Sequence, residues 1–145
     1  MNVKDALIEV RHRIERAAVA SGRDPASVRL IAASKTKSAA AIREAYAAGQ
    51  RDFGENYAQE LAHKAEELAD LTDIRWHFIG HLQSNKARLV APIVHFIHTV
   101  DSAALARELD KRALSKHGAK RLAVLVEVNV GGETQKHGSS AFDLP

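Results

Sequence analysis

The chain has 145 residues, 46% hydrophobic and 27% charged, which fits one soluble domain over residues 1–145 with a sizeable core. Its net charge of +3 arises from 21 Lys and Arg interleaved with 18 Asp and Glu, and aromatic residues make up 5%, so nucleic acid is not an expected partner. Without cysteine there are no disulfides, thiolate metal sites or cysteine nucleophiles; without a signal core or an apolar run near ~20 residues, the expectation is a cytoplasmic chain with no membrane contact.

Asn2 is placed to cap an N-terminal helix over residues 2–20, whose apolar face repeats at Val3, Leu7, Val10, Ile14 and Ala17 before Gly22 and Pro25. Residues 28–33 predict a first strand, stopping at Ser34-Lys35-Thr36-Lys37-Ser38. A helix over 38–48 ends at Gly49, and a short strand follows at 51–53. The next helix carries Ala58, Leu61, Ala62, Ala65, Leu68 and Ala69 on one stripe. Then come a strand at 75–79, a short helix at 84–90, a strand at 94–99, and a helix at 102–116 ending at Gly118. The last strand, 121–130, is almost continuously apolar, as expected when helices cover both faces.

Strands that alternate with helices imply a parallel sheet with right-handed crossovers. Both an open doubly wound sheet and part of a (β/α)8 barrel satisfy that pattern. The turn after the first strand contains no glycine, so neither a dinucleotide fingerprint nor a P-loop is present. Lys35, Asn56, His77 and Lys136 instead fall at or just beyond predicted strand ends, where barrels place their chemistry. The expected fold is therefore α/β, a partial (β/α)8 TIM barrel of about five βα units, whose chain stops where another helix should begin. Open sheet edges then predict self-association.

Lys37 follows Lys35 by two, so on extended backbone their ammonium groups share a face. A neighbouring cation and partial burial both disfavour the protonated amine, which makes a lysine able to form a Schiff base with an aldehyde. Two solvated loop lysines are the plainer alternative.

Four stretches add a resemblance. Leu30-Ile31-Ala32-Ala33-Ser34-Lys35-Thr36-Lys37, Phe53-Gly54-Glu55-Asn56-Tyr57-Ala58-Gln59-Glu60, Trp76-His77-Phe78-Ile79-Gly80-His81-Leu82-Gln83-Ser84-Asn85-Lys86 and Val128-Asn129-Val130-Gly131-Gly132-Glu133-Thr134-Gln135-Lys136-His137-Gly138 resemble, in that order, segments of the pyridoxal phosphate homeostasis protein family. The resemblance implies the alanine racemase N-terminal-domain fold (fold type III), with pyridoxal 5′-phosphate at the C-terminal strand ends. It makes Lys35 the lysine that carries the cofactor as an aldimine, and Asn56 the asparagine near its ring. Asn56 also suits a helix N-cap. His77 either packs against the ring or is a buried structural histidine. His77 and His81 are four apart, but that spacing shares a face only on a helix and Gly80 interrupts, so no metal site is expected. Gln83, Ser84, Asn85 and Lys86 open a short helix that either holds an anion or is merely capped and solvated. Lys136 matches a family lysine near the mouth of the site, and equally suits an exposed loop.

The family residues that hold the phosphate and face the pyridine nitrogen lie in later strands and have no counterpart here. Weak or absent affinity for pyridoxal phosphate is therefore expected. The resemblance implies a non-catalytic carrier serving vitamin B6 balance, with no catalytic residue assigned. The alternatives are a pyridoxal phosphate enzyme such as an amino-acid racemase, for which no second acid/base group is identifiable, or an interaction fragment without a ligand.

Overall fold

The computed structural model describes residues 2–113 and 121–140. Its centre is a five-stranded parallel sheet of β1 (Ala32–Ala33), β2 (Asp52–Glu55), β3 (Arg75–Phe78), β4 (Phe96–Val100) and β5 (Ala123–Val126). The strands lie in chain order, 1-2-3-4-5. A doubly wound sheet reverses its strand order at a switch point, so the sequential order removes that alternative.

The helices are α1 (Val3–Ala20), α2 (Ala39–Ala47), α3 (Ala58–Glu67), α4 (Ala87–Val90) and α5 (Ala103–Ala113). Among the described residues none is long and apolar enough to cross a membrane. Asn2 caps α1 by accepting from the Asp5 amide at 2.8 Å, and Ser38 caps α2 through Ala41 N. Gly49, at φ +88°, ends the α2 turn in a conformation that favours glycine.

Alternation along the strands sorts their side chains onto two faces. Phe53, Trp76, Phe78 and Ile97 face the helices and join Ile42, Leu61, Val90, Leu105 and Leu109 in one continuous core. Fully burying each such side chain contributes about 1.5–3 kcal/mol. The opposite face, here called the open face, bears Ala33, Asp52, Gly54, Arg75, His77, Phe96 and His98. It is the face that positions the candidate site.

Several predicted elements shift. The first strand shortens from 28–33 to Ala32–Ala33, because β1 has only β2 as a neighbour and its earlier residues have no ladder partner. The second moves from 51–53 to Asp52–Glu55; Gly54 stays in register with His77, because a Cβ there would press on Ile79 and Ile31. The helix at 84–90 is a 3-10 turn, Ser84–Lys86, running into α4. In α1 the buried residue of the last turns is Ala18 rather than Ala17. The helix expected over 102–116 is described as far as Ala113, and its remainder lies outside the described residues.

The largest correction concerns the last strand. It is four residues long, and Val124, Leu125 and Val126 are 42%, 50% and 51% exposed instead of covered on both faces. Its apolar run is real, but β5 pairs with β4 alone and lies at the sheet edge.

Candidate functional site

The loop after β1 begins as an extension of the ladder, with Ser34 N donating to Gly54 O at 2.8 Å. Ser34 faces the helices and is buried; its hydroxyl donates to Glu55 Oε1 at 2.6 Å. Lys35 and Thr36 are the central residues of a turn closed by Lys37 N donating to Ser34 O at 3.0 Å, with Lys35 two residues beyond Ala33. Ala33 is the register partner of Gly54, and Asn56 lies two residues beyond Gly54. Lys35 and Asn56 thus each stand two residues beyond this register pair, past the C-terminal ends of β1 and β2. His77 is paired with Gly54 in register.

Two expectations about Lys35 need correcting. Lys35 is exposed rather than partly buried, because five strands leave the open face beside β1 uncovered. Nor does it share a strand face with Lys37. Thr36 adopts φ +62°, a left-handed conformation unusual for a β-branched residue, and breaks the two-residue alternation between them.

Behind this kink lies a polar cluster that the sequence reading did not identify. Lys64 of α3 is 5% exposed, yet its ammonium donates to Ser34 O at 2.7 Å, Glu55 Oε1 at 2.8 Å and Glu60 Oε1 at 2.6 Å. Those acceptors use all three of its donors. Glu60 Oε1 also accepts from the Thr36 amide at 2.6 Å. The hydrogen bond from Lys64, more than the one from Thr36, holds the Glu60 carboxyl below its ordinary range. The signal was present: Lys64 stands three residues after Leu61 and four before Leu68, inside the apolar stripe of its helix, where a solvated lysine does not belong.

Asn56 does not cap α3. The N-cap is Tyr57, and it makes no side-chain capping bond. Instead, Asn56 Oδ1 is buried without a hydrogen-bond partner, an arrangement that costs about 1–3 kcal/mol unless a ligand or water supplies one. Gly80 makes this position possible, because a Cβ there would sit 2.7 Å from Asn56 Cα. The loop after β3 therefore packs backbone against backbone on Asn56.

His77 is 1% exposed and committed at both nitrogens. Nε2 lies 2.8 Å from Asp52 Oδ1, and Nδ1 lies 2.9 Å from His98 Nε2. An ionised carboxylate only accepts, so Nε2 of His77 carries a proton; a neutral His77 then accepts at Nδ1 from His98. Its ring also stacks on Phe96, with centroids 5.8 Å apart. Asp52 binds Arg75 as well, at 2.9 and 2.5 Å. Burial pushes the Asp52 carboxyl up, but the hydrogen bonds from Arg75 and His77 outweigh it and bring it to about 2. Burial, then the neighbouring His77, pushes His98 down.

The remaining candidates lie elsewhere. His81 pairs with Asp101 at 3.3 Å and stacks on His137, ring centroids 3.5 Å and planes 9° apart. A metal lies in the plane of each imidazole that binds it. Two nearly parallel, stacked rings share no such point, although their donor atoms and Asp101 are close. His77 and His81 have no partner in common. Lys136 is exposed and paired with Glu133 at 2.7 Å. Gln83 makes no side-chain capping bond, and the three-residue turn it opens is too short to build a helix dipole. A depression of about 530 Å³ bordered by Arg11, Gln50, Asp52 and Arg75 lies at the N-terminal ends of the strands, opposite Lys35.

No family model matches the chain. It is 50% identical to the pyridoxal phosphate homeostasis protein of Pseudomonas aeruginosa, over 99% of this chain and 61% of that protein. Among solved structures it is similar to PipY of Synechococcus elongatus with PLP (pyridoxal phosphate) bound, at a TM-score of 0.74 and 46% identity over 90% of this chain and 59% of PipY. A protein of unknown function from Bifidobacterium adolescentis superposes with a TM-score of 0.84 at 39% identity, covering 95% of this chain and 59% of that one. The chain thus spans about 60% of the length of these relatives.

Proposed function

We propose that the chain belongs, over the length it spans, to the pyridoxal phosphate homeostasis protein family, as relatives at 50% and 44% identity support, and that it takes up pyridoxal 5′-phosphate at Lys35. The reading rests on one observation: Lys35 and Asn56 each stand two residues beyond the register pair Ala33 and Gly54, and the Asn56 amide oxygen is buried without a partner. When bound, pyridoxal phosphate supplies an aldehyde that condenses with a primary amine. The chain's own part is to present the Lys35 amine above the strand ends and to hold Asn56 nearby, with the Asn56 backbone packed against Gly80.

We read the five βα units as the wall of a (β/α)8 barrel, with the open face as its interior and the strand C-termini as its mouth. The sequential parallel order and the core on one face support this. His77 then contributes to the interior wall, held by Asp52 and His98. The role we assign is carriage of the cofactor, without a catalytic residue.

Incubation with pyridoxal phosphate, borohydride reduction and peptide mapping test the reading. Label concentrated on Lys35, and lost in Lys35→Ala, is the expected result. Label spread evenly over the exposed lysines, or absent from Lys35, overturns it.

A further inference from the structure

Ser34 and Thr36, the chain neighbours of Lys35, are both tied to a single buried ion. Lys64 Nζ holds the Ser34 carbonyl directly at 2.7 Å. It reaches Ser34 a second time through Glu55 Oε1, which accepts from both Lys64 and the Ser34 hydroxyl. On the other side, Glu60 Oε1 links Lys64 at 2.6 Å to the Thr36 amide at 2.6 Å. The Thr36 backbone is at φ +62°, a conformation that a threonine keeps only when its surroundings impose it. The bonds to both sides of Lys35 impose it.

An exposed four-carbon side chain explores many rotamers, so its aim is governed mainly by the direction in which the backbone launches it. The cluster fixes that direction. Ser34 is pulled towards the helices and the kink at Thr36 turns the chain away, so the turn that launches Lys35 is held from both sides. A buried ion pair is seldom retained for stability, since an apolar replacement is often as good. Here the ammonium does something an apolar residue cannot: it gathers a carbonyl and two carboxylates, one of which captures an amide.

We propose that Lys64, acting through Glu60 and Glu55 on the backbone of Ser34 and Thr36, is a positioning residue that aims the Lys35 amine at its aldehyde ligand. This deepens the function proposed above and rests on Lys35 being the point of attachment. Glu60 is the better lever, because it is only partly buried and Glu60→Ala keeps Lys64 paired with Glu55 and Ser34.

The decisive quantity is the ratio of pyridoxal phosphate label at Lys35 to label at Lys37 in the same molecule, after brief exposure and borohydride reduction. General loosening of the fold exposes both lysines alike, whereas loss of aim affects only Lys35. Glu60→Ala is expected to lower the ratio roughly tenfold, as misplacement of a reacting group does, with its melting curve still cooperative. Lys64→Met is expected to lower it at least as far; should that variant not fold, Glu60→Ala decides alone. A cooperative Glu60→Ala protein whose ratio stays within roughly twofold of the parent overturns the inference and leaves attachment at Lys35 intact. A parent chain with no preference for Lys35 overturns the attachment reading, and this inference with it.

Discussion

Two buried polar clusters sit on opposite faces of the same sheet, and they solve the burial problem differently. On the helix side, Lys64, Glu55, Glu60 and Ser34 meet in a dry layer where the lysine has all three donors filled. On the open side, Asp52, His77, His98 and Arg75 form a chain that passes from an exposed guanidinium to a buried imidazole. The first contains no histidine. The second contains His98, which burial pushes below its ordinary range. The helix-side cluster therefore behaves as a fixed brace, while the open-side chain responds to pH.

Removing the brace is expected to have the largest effect. Lys64→Met leaves Glu55, which is fully buried, without its counter-ion. Breaking a buried pair in this way costs about 3–5 kcal/mol, enough to lower the melting temperature by about 10 °C in a chain of this size. Circular dichroism melts measure it, and a shift under about 1 kcal/mol would mean that Glu55 finds another partner. Next in size is Asp52→Asn on the other face. The Asp52 carboxyl is held at about 2, well below the ordinary 3.8, so ionised Asp52 contributes on the order of 2 kcal/mol. A depressed acid contributes fully above its unfolded value, and that contribution is lost as pH falls from about 4 towards 2. Acid denaturation of the parent should therefore show a component in that window that is missing from Asp52→Asn. Equal acid limbs in the two proteins would contradict the assignment.

The contrast between the clusters also explains what the sequence could convey. Period and punctuation located the helices and their alternation with strands, because those follow from local spacing: the cap at Asn2 and the turn at Gly49 are where the sequence puts them. Lys35 and Asn56 were singled out through motifs, and the register sets each two residues beyond the pair Ala33 and Gly54. The partners of His77 were not legible. Asp52 comes from the neighbouring strand β2 and His98 from the far side, in β4, so they meet only through register. The misjudged cover of β5 has a similar origin, since an apolar run is the same string whether or not another element lies against it.

A smaller effect probes the pH response of the open face. His98 titrates below its ordinary 6.5, chiefly through burial and then through His77. With the folded value lowered, the unfolded chain binds more protons below about pH 6.5, so stability declines as pH drops from about 7 to 5. His98→Gln retains an amide that can donate to His77 Nδ1 but cannot titrate. It should flatten that slope while leaving stability at pH 8 nearly unchanged. Urea midpoints across pH measure this. A slope that survives the substitution assigns the response to another group.

The smallest change in fold stability belongs to the edge that neither cluster touches. Among the described residues nothing pairs with the outer side of β5, where Val124, Leu125 and Val126 are about half exposed. An apolar strand edge with unpaired amides and carbonyls is a template for pairing with another chain. Leu125→Lys places a charge at the centre of that strand at a cost within about 0.5 kcal/mol, because the side chain is already in contact with water. Light scattering of the parent should show apparent mass rising with concentration, and Leu125→Lys should suppress the rise without moving the melting temperature appreciably. A parent that stays monomeric at high concentration would show that the edge is protected despite its exposure. The Lys35 labelling ratio should be the same in both proteins, since β5 and β1 lie at opposite edges of the sheet. If it changed, the two edges would have to meet in the associated form.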